Sequence, residues 1–213
     1  MKIALIGGTG QAGSRILIEA LERGHQVTAI ARTPAKLPKH PNLKGVMGDV
    51  QNEKLLIGQL AGHDIVMSAY TPTRGTADYT QTCLRGYQTI INATKKAGVK
   101  RLLVVGGAGS LEVAPGVQVI NTPNFPPEYK TEAAAYADVL AIIRQEKELD
   151  WTFVSPSALF APGQRTGKFR LGKDQLLVAA DGKSHISMED FAVALLDEAE
   201  HPQHSRQRFT VGY

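Results

Sequence analysis

Residues 1–16 read MKIALIGGTGQAGSRI, and this stretch decides the fold. Residues 1–6 form a short apolar run, a glycine-rich turn follows directly, and Ser14-Arg15-Ile16 begins a helix pattern. A strand, a glycine turn and a helix in this order are the context in which a glycine motif binds a dinucleotide. The alternative is a turn that only connects a strand to a helix, although three aligned glycines carry a high entropic cost in that role.

The glycines of this turn have a physical reason to be there. A pyrophosphate needs donors at close range, and a helix N-terminus supplies unpaired N–H groups and partial positive charge. Side chains on the turn would keep the phosphates away. Two registers fit, because Gly8, Gly10 and Gly13 give G-x-G-x-x-G, whereas Gly7, Gly10 and Gly13 give G-x-x-G-x-x-G. The turn residues that we expect to contact a cofactor are Gly7, Thr9, Gly10, Gln11, Ala12 and Gly13.

Beyond the turn, apolar runs alternate with helix patterns along most of the chain. Near-continuous apolar strands separated by helices predict a parallel sheet covered on both faces. With right-handed crossovers, the prediction is an α/β fold with a doubly wound, mainly parallel sheet, the Rossmann fold. The predicted strands are residues 1–6, 26–31, 43–47, 64–69, 101–105, 151–155, 176–178, 183–186 and 206–211. The predicted helices are residues 11–23, 52–61, 78–97, 131–147 and 188–200.

The length of the chain and its alternation of strands and helices predict the domain organisation. A chain of 213 residues is expected to form a single domain, residues 1–213. Two stretches depart from the alternation of strands and helices. Residues 110–129 contain four prolines and make a long loop, which in a compact domain is often a lid. Residues 156–186 follow the sixth predicted strand, and we expect them to form a small C-terminal substrate lobe within the domain.

Composition excludes several classes of protein. The formal net charge is +4, but the basic residues are scattered and not interleaved with aromatic residues, so no nucleic-acid partner is predicted. No apolar run approaches the ~18 residues of a membrane span. No His, Cys, Asp or Glu cluster has metal-ligand spacing, and the single cysteine, Cys83, is interpreted as a buried thiol rather than a nucleophile. No signal peptide precedes the first strand, and together with the facts above this predicts a cytoplasmic protein. We expect a monomer or a weak homodimer.

The end of the second predicted strand distinguishes the two nicotinamide cofactors. An NAD-selective site has an Asp or Glu there to accept hydrogen bonds from the ribose hydroxyls. Residues 31–36 read ARTPAK and contain no acid. Arg32 can bind a 2′-phosphate with paired charge-assisted bonds, while Thr33 and Lys36 add a hydroxyl and a positive charge. The sequence therefore predicts NADP(H) in preference to NAD(H), and the alternative is a solvated loop with ordinary basic residues.

Several motifs along nearly the whole chain point the same way. They are the glycine turn in its G-x-x-G-x-x-G register, the Ala31-Arg32-x-Pro34 segment, Gly48-Asp49-Val50, Gly106-Gly107 after the fifth strand, and Ser187-x-x-Asp190 at the last helix. With them the chain resembles an atypical short-chain dehydrogenase/reductase. It is similar to the NAD(P)H-binding group that includes NmrA-like proteins and the flavin and biliverdin reductases. The resemblance specifies the fold and not the substrate, because one fold carries many functions.

The resemblance also implies cofactor contacts at the carboxyl ends of the other strands. Asp49 would approach the adenine amine, with the backbone of Val50 beside it, and an Asx-turn is the alternative for Asp49. Ser68 and Ala69 are small enough for a ribose to pass closely, and Tyr70 would form a wall of the pocket. The remaining expected contacts are Gly106, Gly107, Ser155, Pro156 and Ser157, of which the last three would lie near the nicotinamide carboxamide.

The usual proton donor of the superfamily is absent. Its active site uses a Ser after the fifth strand and a Tyr-x-x-x-Lys on the next helix, where the lysine lowers the pKa of the tyrosine. In this chain the residue four positions after Tyr129 is Ala133, and four positions after Tyr136 is Leu140. Tyr129 is the better candidate for the acid and Ser110 the weaker one. The alternative for Tyr129 is a residue that packs the edge of the pocket.

A third group of polar residues has a structural explanation. Ser184-His185 and Ser187-Met188-Glu189-Asp190 contain the residue types of a Ser/His/Asp catalytic set. Ser187 stands directly before the last predicted helix, and Asp190 occupies the capping-box position three residues later. We therefore expect Ser187 to be an N-cap, and we expect His185 to lie in a strand near the rim of the site.

These observations lead to two main hypotheses of function. The first is an NADPH-dependent oxidoreductase that passes hydride to a small planar acceptor, a flavin, quinone or carbonyl compound, beneath residues 110–129. Phe125, Tyr129 and Phe160 would then wall the acceptor site. The second is a non-catalytic NADP(H)-binding redox sensor of the NmrA type with a protein partner, which the missing Tyr-x-x-x-Lys favours. An epimerase or dehydratase is a third reading, and it needs proton-transfer residues that the sequence does not reveal.

Overall fold

A computed structural model describes all 213 residues and has a large central sheet flanked by helices. The strands are β1 (Lys2–Ile6), β2 (Gln26–Ala31), β3 (Leu43–Met47), β4 (Ile65–Ser68), β5 (Arg101–Val105), β6 (Glu112–Ala114), β7 (Val117–Gln118), β8 (Asp150–Pro156), β9 (Leu159–Ala161), β10 (Arg170–Gly172), β11 (His185–Ser187) and β12 (Gln207–Gly212). The α-helices are α1 (Gln11–Glu22), α2 (Glu53–Leu60), α3 (Tyr79–Lys96), α4 (Lys130–Ile143) and α5 (Met188–Glu200).

The strand order confirms the doubly wound, mainly parallel sheet. Eight strands follow the order β10-β12-β8-β5-β4-β1-β2-β3, and β6 with β7 and β9 with β11 form two small separate sheets. Every neighbouring pair in the large sheet is parallel except β10 with β12. The chain runs outward from β1 to β3 and then returns to the other side of β1 with β4. The order therefore reverses between β1 and β4, where ligands bind in open α/β sheets.

Two helical layers cover the sheet. Helices α1 and α5 pack together on one face, and α2, α3 and α4 cover the other. Successive residues of β1 enter opposite cores, because side chains alternate along a strand. Ala4 and Ile6 lie beneath α3 and α4, whereas Ile3 and Leu5 lie beneath α1 and α5. No helix combines the length and the apolar composition that crossing a bilayer requires.

The predicted helix at residues 131–147 is shorter in the structure. Helix α4 ends at Ile143, because the chain then tightens into 3₁₀-type hydrogen bonds from the N–H of Gln145 to Ile142 and from the N–H of Glu146 to Ile143. The Glu146 carboxylate also accepts hydrogen bonds from backbone N–H groups that follow it. The sequence is apolar enough to extend the helix, but these local bonds end it.

The predicted strand at residues 176–178 is wrong. Strand β10 takes the edge position beside β12 instead, with Leu171 opposite Val211. Leu176 donates its N–H to the carbonyl of Glu112, so this stretch follows the neighbouring hairpin rather than the sheet. The second strand predicted in this region, residues 183–186, occurs one to two residues later as β11 and pairs with β9.

Residues 110–129 form a folded segment with its own hydrogen bonds. Strands β6 and β7 form a hairpin within it, and two 3₁₀ turns follow at Val119–Asn121 and Pro127–Tyr129. Leu111 is fully buried, and Val119 donates its N–H to the Leu111 carbonyl at 2.8 Å. The segment is therefore fixed at its base, beside the carboxyl end of β5.

Residues 163–167 lie against the first and last helices. Arg165 forms a two-pronged pair with Glu19 of α1, with nitrogen–oxygen distances of 2.7 and 2.8 Å. The Glu189 carboxylate of α5 accepts a 2.7 Å hydrogen bond from the N–H of Gly163 and also pairs with Arg15 of α1. These carboxylates attach the middle of residues 156–186 to the helical layer.

Asp190 is the centre of the buried part of this attachment. Ser187 caps α5 as expected, since its hydroxyl accepts the N–H of Asp190 at 2.9 Å. The Asp190 carboxylate does not complete a capping box. It accepts hydrogen bonds from the N–H groups of Thr166 and Gly167, both at 2.7 Å, and from the Tyr213 hydroxyl at 2.6 Å. Ser187 and Asp190 are thus structural, as the sequence predicts.

We predict that Asp190→Asn destabilises the fold in a pH-dependent way. Burial opposes the charge of Asp190, but the hydrogen bonds it accepts, first from Thr166 and Tyr213, outweigh burial and lower its pKa. Because its native pKa is lowered, ionised Asp190 stabilises the fold at pH values above its unfolded-state pKa of about 3.9. This stabilisation is lost as the pH falls through the native pKa. Chemical denaturation at pH 7 should show a loss of about 2 to 3 kcal/mol in Asp190→Asn, and a smaller loss at pH 3.

Asp197→Asn is the matched control on the same helix, because Asp197 is 53% exposed and bonds only at the surface to Arg23. It should cost less than about 1 kcal/mol. Equal losses in Asp190→Asn at the two pH values would show that the charge of Asp190 is not what the network stabilises.

Candidate functional site

The glycine turn lies at the reversal point between β1 and β4. Gly7 has a φ of +83°, which favours glycine, and a Cβ atom there would lie 2.6 Å from the carbonyl oxygen of Ala69. A Cβ atom at Gly13 would lie 2.1 Å from the carbonyl oxygen of Gly7. Gly8 has neither a positive φ nor a contact below 3.2 Å. The geometry therefore supports the register of Gly7, Gly10 and Gly13.

The N-terminus of α1 is open to a ligand. Gly10 is its N-cap, no side chain caps the helix, and its first turn contains no acidic residue. The first N–H groups of a helix have no partner within it. Thr9, Gly10 and Gln11 are exposed at this point. A diphosphate fits this helix N-terminus, because its N–H groups are unpaired and the helix dipole favours an anion.

The end of β2 presents an unpaired guanidinium. Of the eleven arginines in the chain, Arg32 is the only one whose side chain makes no hydrogen bond or ion pair. It is exposed, as are Thr33 and Lys36 beside it. An arginine free of protein partners, on the edge of the sheet where the helix N-terminus opens, is suited to a second anionic group.

Asp49 forms the Asx-turn that was the alternative for it. Its Oδ1 accepts the N–H of Gln51 at 2.9 Å, which leaves Oδ2 without a protein donor. Val50 packs in the core beneath α3 and α4, 5% exposed. Tyr70 reaches the same region, since the Gln51 amide donates to its hydroxyl at 3.4 Å. These residues form one end of an open crevice along the carboxyl edge of the sheet.

The carboxyl ends of β5 and β8 form the other end. Ser155 is fully buried, and its hydroxyl has no hydrogen-bond partner in the protein. Such an orphaned group is a candidate for bonding a ligand. The Ser157 hydroxyl, in contrast, donates to the carbonyl of Val211 at 2.9 Å. Pro156 pairs with the same residue in the sheet.

Gly106 and Gly107 have a packing reason as well. A Cβ atom at Gly106 would lie 2.0 Å from the ring of Phe153, and one at Gly107 would lie 3.3 Å from Cβ of Tyr136. These glycines let β8 and α4 approach the end of β5.

The structure gives Ser110 a structural partner. It is 6% exposed, and its hydroxyl accepts a hydrogen bond from Arg208 of β12 at 3.0 Å. Arg208 also bonds to the Ser110 carbonyl and to Asp174, and its side chain is 3% exposed. Ser110 therefore fixes residues 110–129 to the sheet, which leaves its hydroxyl poorly suited to proton transfer.

Tyr129, the N-cap of α4, and Tyr136 within that helix differ in their surroundings. Tyr129 is 56% exposed and its hydroxyl has no protein partner. Tyr136 is buried, and its hydroxyl donates to the backbone carbonyl of Tyr70 at 2.9 Å. Burial raises the pKa of Tyr136 well above its usual value. The absence of a Tyr-x-x-x-Lys pair is thus matched by a structure in which no lysine activates either hydroxyl.

The proposed walls of the acceptor site come from different segments. Phe125 and Tyr129 belong to residues 110–129, whereas the ring of Phe160 packs on Phe191 of α5 with centroids 4.8 Å apart. Phe160 is partly buried against the core beneath α1 and α5. No group of His, Cys, Asp and Glu is arranged to bind a metal.

Two clefts lie away from the glycine turn. One of about 280 Å³, lined by Lys2, Lys44 and His63 among others, is at the opposite edge of the sheet. The other, of about 400 Å³, is lined by Arg144 and Arg208 among others. The candidate site is instead an open crevice along the carboxyl edge of the sheet.

Comparisons with known proteins show what the chain is similar to. A family model described as NAD(P)H-binding matches residues 7–202. The uncharacterized protein YwnB of Bacillus subtilis is 41% identical over 214 residues, 99% of this chain and 98% of that protein. A Bacteroides thetaiotaomicron structure called a "putative epimerase" is 45% identical with a TM-score of 0.94, covering 100% of this chain and 96% of that one. A Streptococcus pneumoniae structure called a "putative NADH-flavin reductase" is 36% identical with a TM-score of 0.87, covering 100% and 99%.

Proposed function

The chain belongs to the NAD(P)H-binding family, and we propose that it is an NADPH-dependent reductase of a flavin, quinone or small carbonyl compound. One observation carries the choice of cofactor. An unpaired guanidinium, Arg32, stands at the end of β2, on the same edge of the sheet as the uncapped N-terminus of α1. The guanidinium suits a 2′-phosphate, and the helix N-terminus suits a diphosphate. In NADPH both groups belong to one molecule.

The remaining cofactor contacts follow the edge of the sheet. Gly7 and Gly13 let the end of β4 and the first turn of α1 pack against the glycine turn, and the N–H groups beside Gly10 receive the diphosphate. Asp49 has one carboxylate oxygen free for the adenine amine. Ser68, Ala69 and Tyr70 at the end of β4 border the ribose. The unpartnered Ser155 hydroxyl supplies a hydrogen bond to the carboxamide at the far end. Thr9, Gln11, Ala12, Thr33, Lys36, Val50, Gly106, Gly107, Pro156 and Ser157 complete the proposed cofactor site.

The chemistry requires little from the protein beyond orientation. When bound, a reduced nicotinamide supplies a hydride, and the protein contributes binding, geometry and electrostatics. A flavin or quinone takes the accompanying proton from water. This favours such acceptors over carbonyl compounds, which depend more on a placed acid. Tyr129, the N-cap of α4, has an exposed hydroxyl that is free to serve as that acid.

The names of the two structural relatives support different reactions. The Streptococcus pneumoniae relative is named for flavin reduction, which agrees with hydride transfer without a protein acid. The Bacteroides thetaiotaomicron relative is named an epimerase. Epimerisation needs groups that remove and return a proton, and α4 lacks the tyrosine–lysine pair that the superfamily uses. We therefore place reduction first.

A non-catalytic sensor is the second candidate. The missing proton donor favours it, and so does the burial of Tyr136, whose hydroxyl is already bonded to the backbone. Such a protein would bind NADP(H) at the same crevice and present residues around it to a protein partner. The two candidates share a cofactor site and differ in turnover.

We predict that Arg32→Glu weakens NADPH binding selectively. The variant removes a guanidinium from the 2′-phosphate and puts a carboxylate in its place, so the dissociation constant of NADPH should rise by about one to two orders of magnitude. NADH lacks this phosphate, and its dissociation constant should change by less than about threefold. Fluorescence titration with both cofactors measures the difference.

Lys147→Glu is the control for net charge. Lys147 is exposed, bonds to no protein group and precedes the amino end of β8, away from the crevice. It makes the same change in charge as Arg32→Glu and should leave both affinities unchanged. If the two variants weaken NADPH binding equally, the preference for NADPH over NADH comes from the net charge of the protein and not from a contact with Arg32.

We predict turnover of NADPH with at least one planar acceptor. Protein and NADPH are mixed with a panel of flavins, quinones and aldehydes, and the loss of reduced-nicotinamide absorbance is followed. Turnover should be fastest with a flavin or quinone. It should fall with Gly10→Ala, because residue 10 is the N-cap of the helix whose N–H groups receive the diphosphate, and the added Cβ would lie 3.3 Å from the carbonyl oxygen of Gly7. Tight NADPH binding with no turnover on any acceptor would support the sensor instead.

A further inference from the structure

Three tyrosines meet at one backbone carbonyl beside the crevice. The hydroxyl of Tyr87 on α3 and the hydroxyl of Tyr136 on α4 both donate to the carbonyl oxygen of Tyr70, each at 2.9 Å. A carbonyl oxygen has two lone pairs, so these two donors use its full capacity. Tyr87 is fully buried and Tyr136 is 9% exposed. Helices α3 and α4 are thereby bonded to Tyr70, which lies two residues after the end of β4.

The rings reinforce this arrangement. Tyr70 and Tyr87 pack edge to face with centroids 5.7 Å apart, and Tyr87 and Tyr136 do so at 6.0 Å. The ring of Tyr70 lies on α3, where a Cβ atom at Gly86 would be 2.3 Å from it. The side chain and the carbonyl of Tyr70 are therefore both fixed. No further protein donor fits on that carbonyl.

The fixed residue borders the glycine turn directly. A Cβ atom at Gly7 would lie 2.6 Å from the carbonyl oxygen of Ala69 and 3.2 Å from the nitrogen of Tyr70. The peptide between Ala69 and Tyr70 thus packs directly against the turn and forms the wall of the crevice at the end of β4. The carbonyl bonded by Tyr87 and Tyr136 is one peptide further along. A small movement of that carbonyl moves the wall.

We propose that Tyr87 and Tyr136 are positioning residues for the cofactor, which fix the Ala69–Tyr70 backbone against the glycine turn and so hold the wall of the crevice at the end of β4. The inference rests on the proposed function, since the molecule that the crevice receives is NADPH. Neither hydroxyl touches the cofactor or the acceptor. Tyr136 lies on the helix that carries the proton donor in related enzymes, but its proton is bonded to the backbone. Burial also raises the pKa of Tyr87 above its usual value.

The test compares Tyr136→Phe, Tyr87→Phe and the double variant with the unaltered protein. Each single variant keeps its ring and leaves the Tyr70 carbonyl one donor, so the fold is retained. The dissociation constant of NADPH, measured by fluorescence titration without an acceptor, should rise about five- to tenfold in each single variant. In the double variant it should rise by more than the product of the two single effects, because the carbonyl loses both donors.

Thr94→Val is the matched control on α3. It removes another fully buried hydroxyl that donates to a backbone carbonyl, that of Ile90 at 2.7 Å, about two helical turns from Tyr87. It should lower the unfolding temperature and leave the NADPH dissociation constant unchanged. If the tyrosine variants behave like Thr94→Val, losing stability without losing affinity, the inference is wrong.

The remaining outcomes are also decisive. If Tyr136→Phe lowers kcat about a hundredfold or more with unchanged NADPH affinity, Tyr136 is a proton donor and the inference is wrong. If the unaltered protein does not bind NADPH, the proposed function fails and this inference fails with it. If it binds NADPH and the double variant binds equally well, only the inference fails.

Discussion

The site depends on the close contact of three backbone segments that have no side chains between them. Gly13 of α1 lies against the carbonyl of Gly7, and Gly7 lies against the Ala69–Tyr70 peptide, at separations where no Cβ atom fits. The positive φ of Gly7 turns the chain from β1 into α1 at this contact. Any side chain here would separate β1, α1 and the end of β4. The crevice therefore exists because glycine occupies these positions.

Charge distribution adds specificity to this geometry. Most of the arginines are used to build the fold: Arg165 attaches residues 163–167 to α1, and Arg208 attaches residues 110–129 to β12. Arg32 has no such use and stands at the open edge. This cation lies on the same edge of the sheet as an uncapped helix N-terminus, and an exposed arginine contributes little to folding. Its position therefore supports the proposed role in ligand binding.

The sequence predicts the fold well where the signals are local. The elements from β1 to β5 are placed within a residue of their observed ends, because apolar period, caps and glycines act within one turn or strand. The small sheets β6–β7 and β9–β11 and the edge strand β10 depend on distant partners, and the sequence analysis predicts only β11. The two hydrogen bonds to Tyr70 join residues 17 and 66 positions apart, so spacing alone does not reveal them. Asp49 and Ser110 show the reverse case, since their chemistry suits a ligand but the structure gives each a protein bond.

A crystal structure of the protein with NADPH tests the central claim most directly. The diphosphate should lie on the N–H groups of the first turn of α1, beside Gly10. The 2′-phosphate should contact the Arg32 guanidinium, and the carboxamide should accept a hydrogen bond from the Ser155 hydroxyl. A cofactor bound in either of the two separate clefts, or a 2′-phosphate facing solvent with Arg32 turned away, would contradict it.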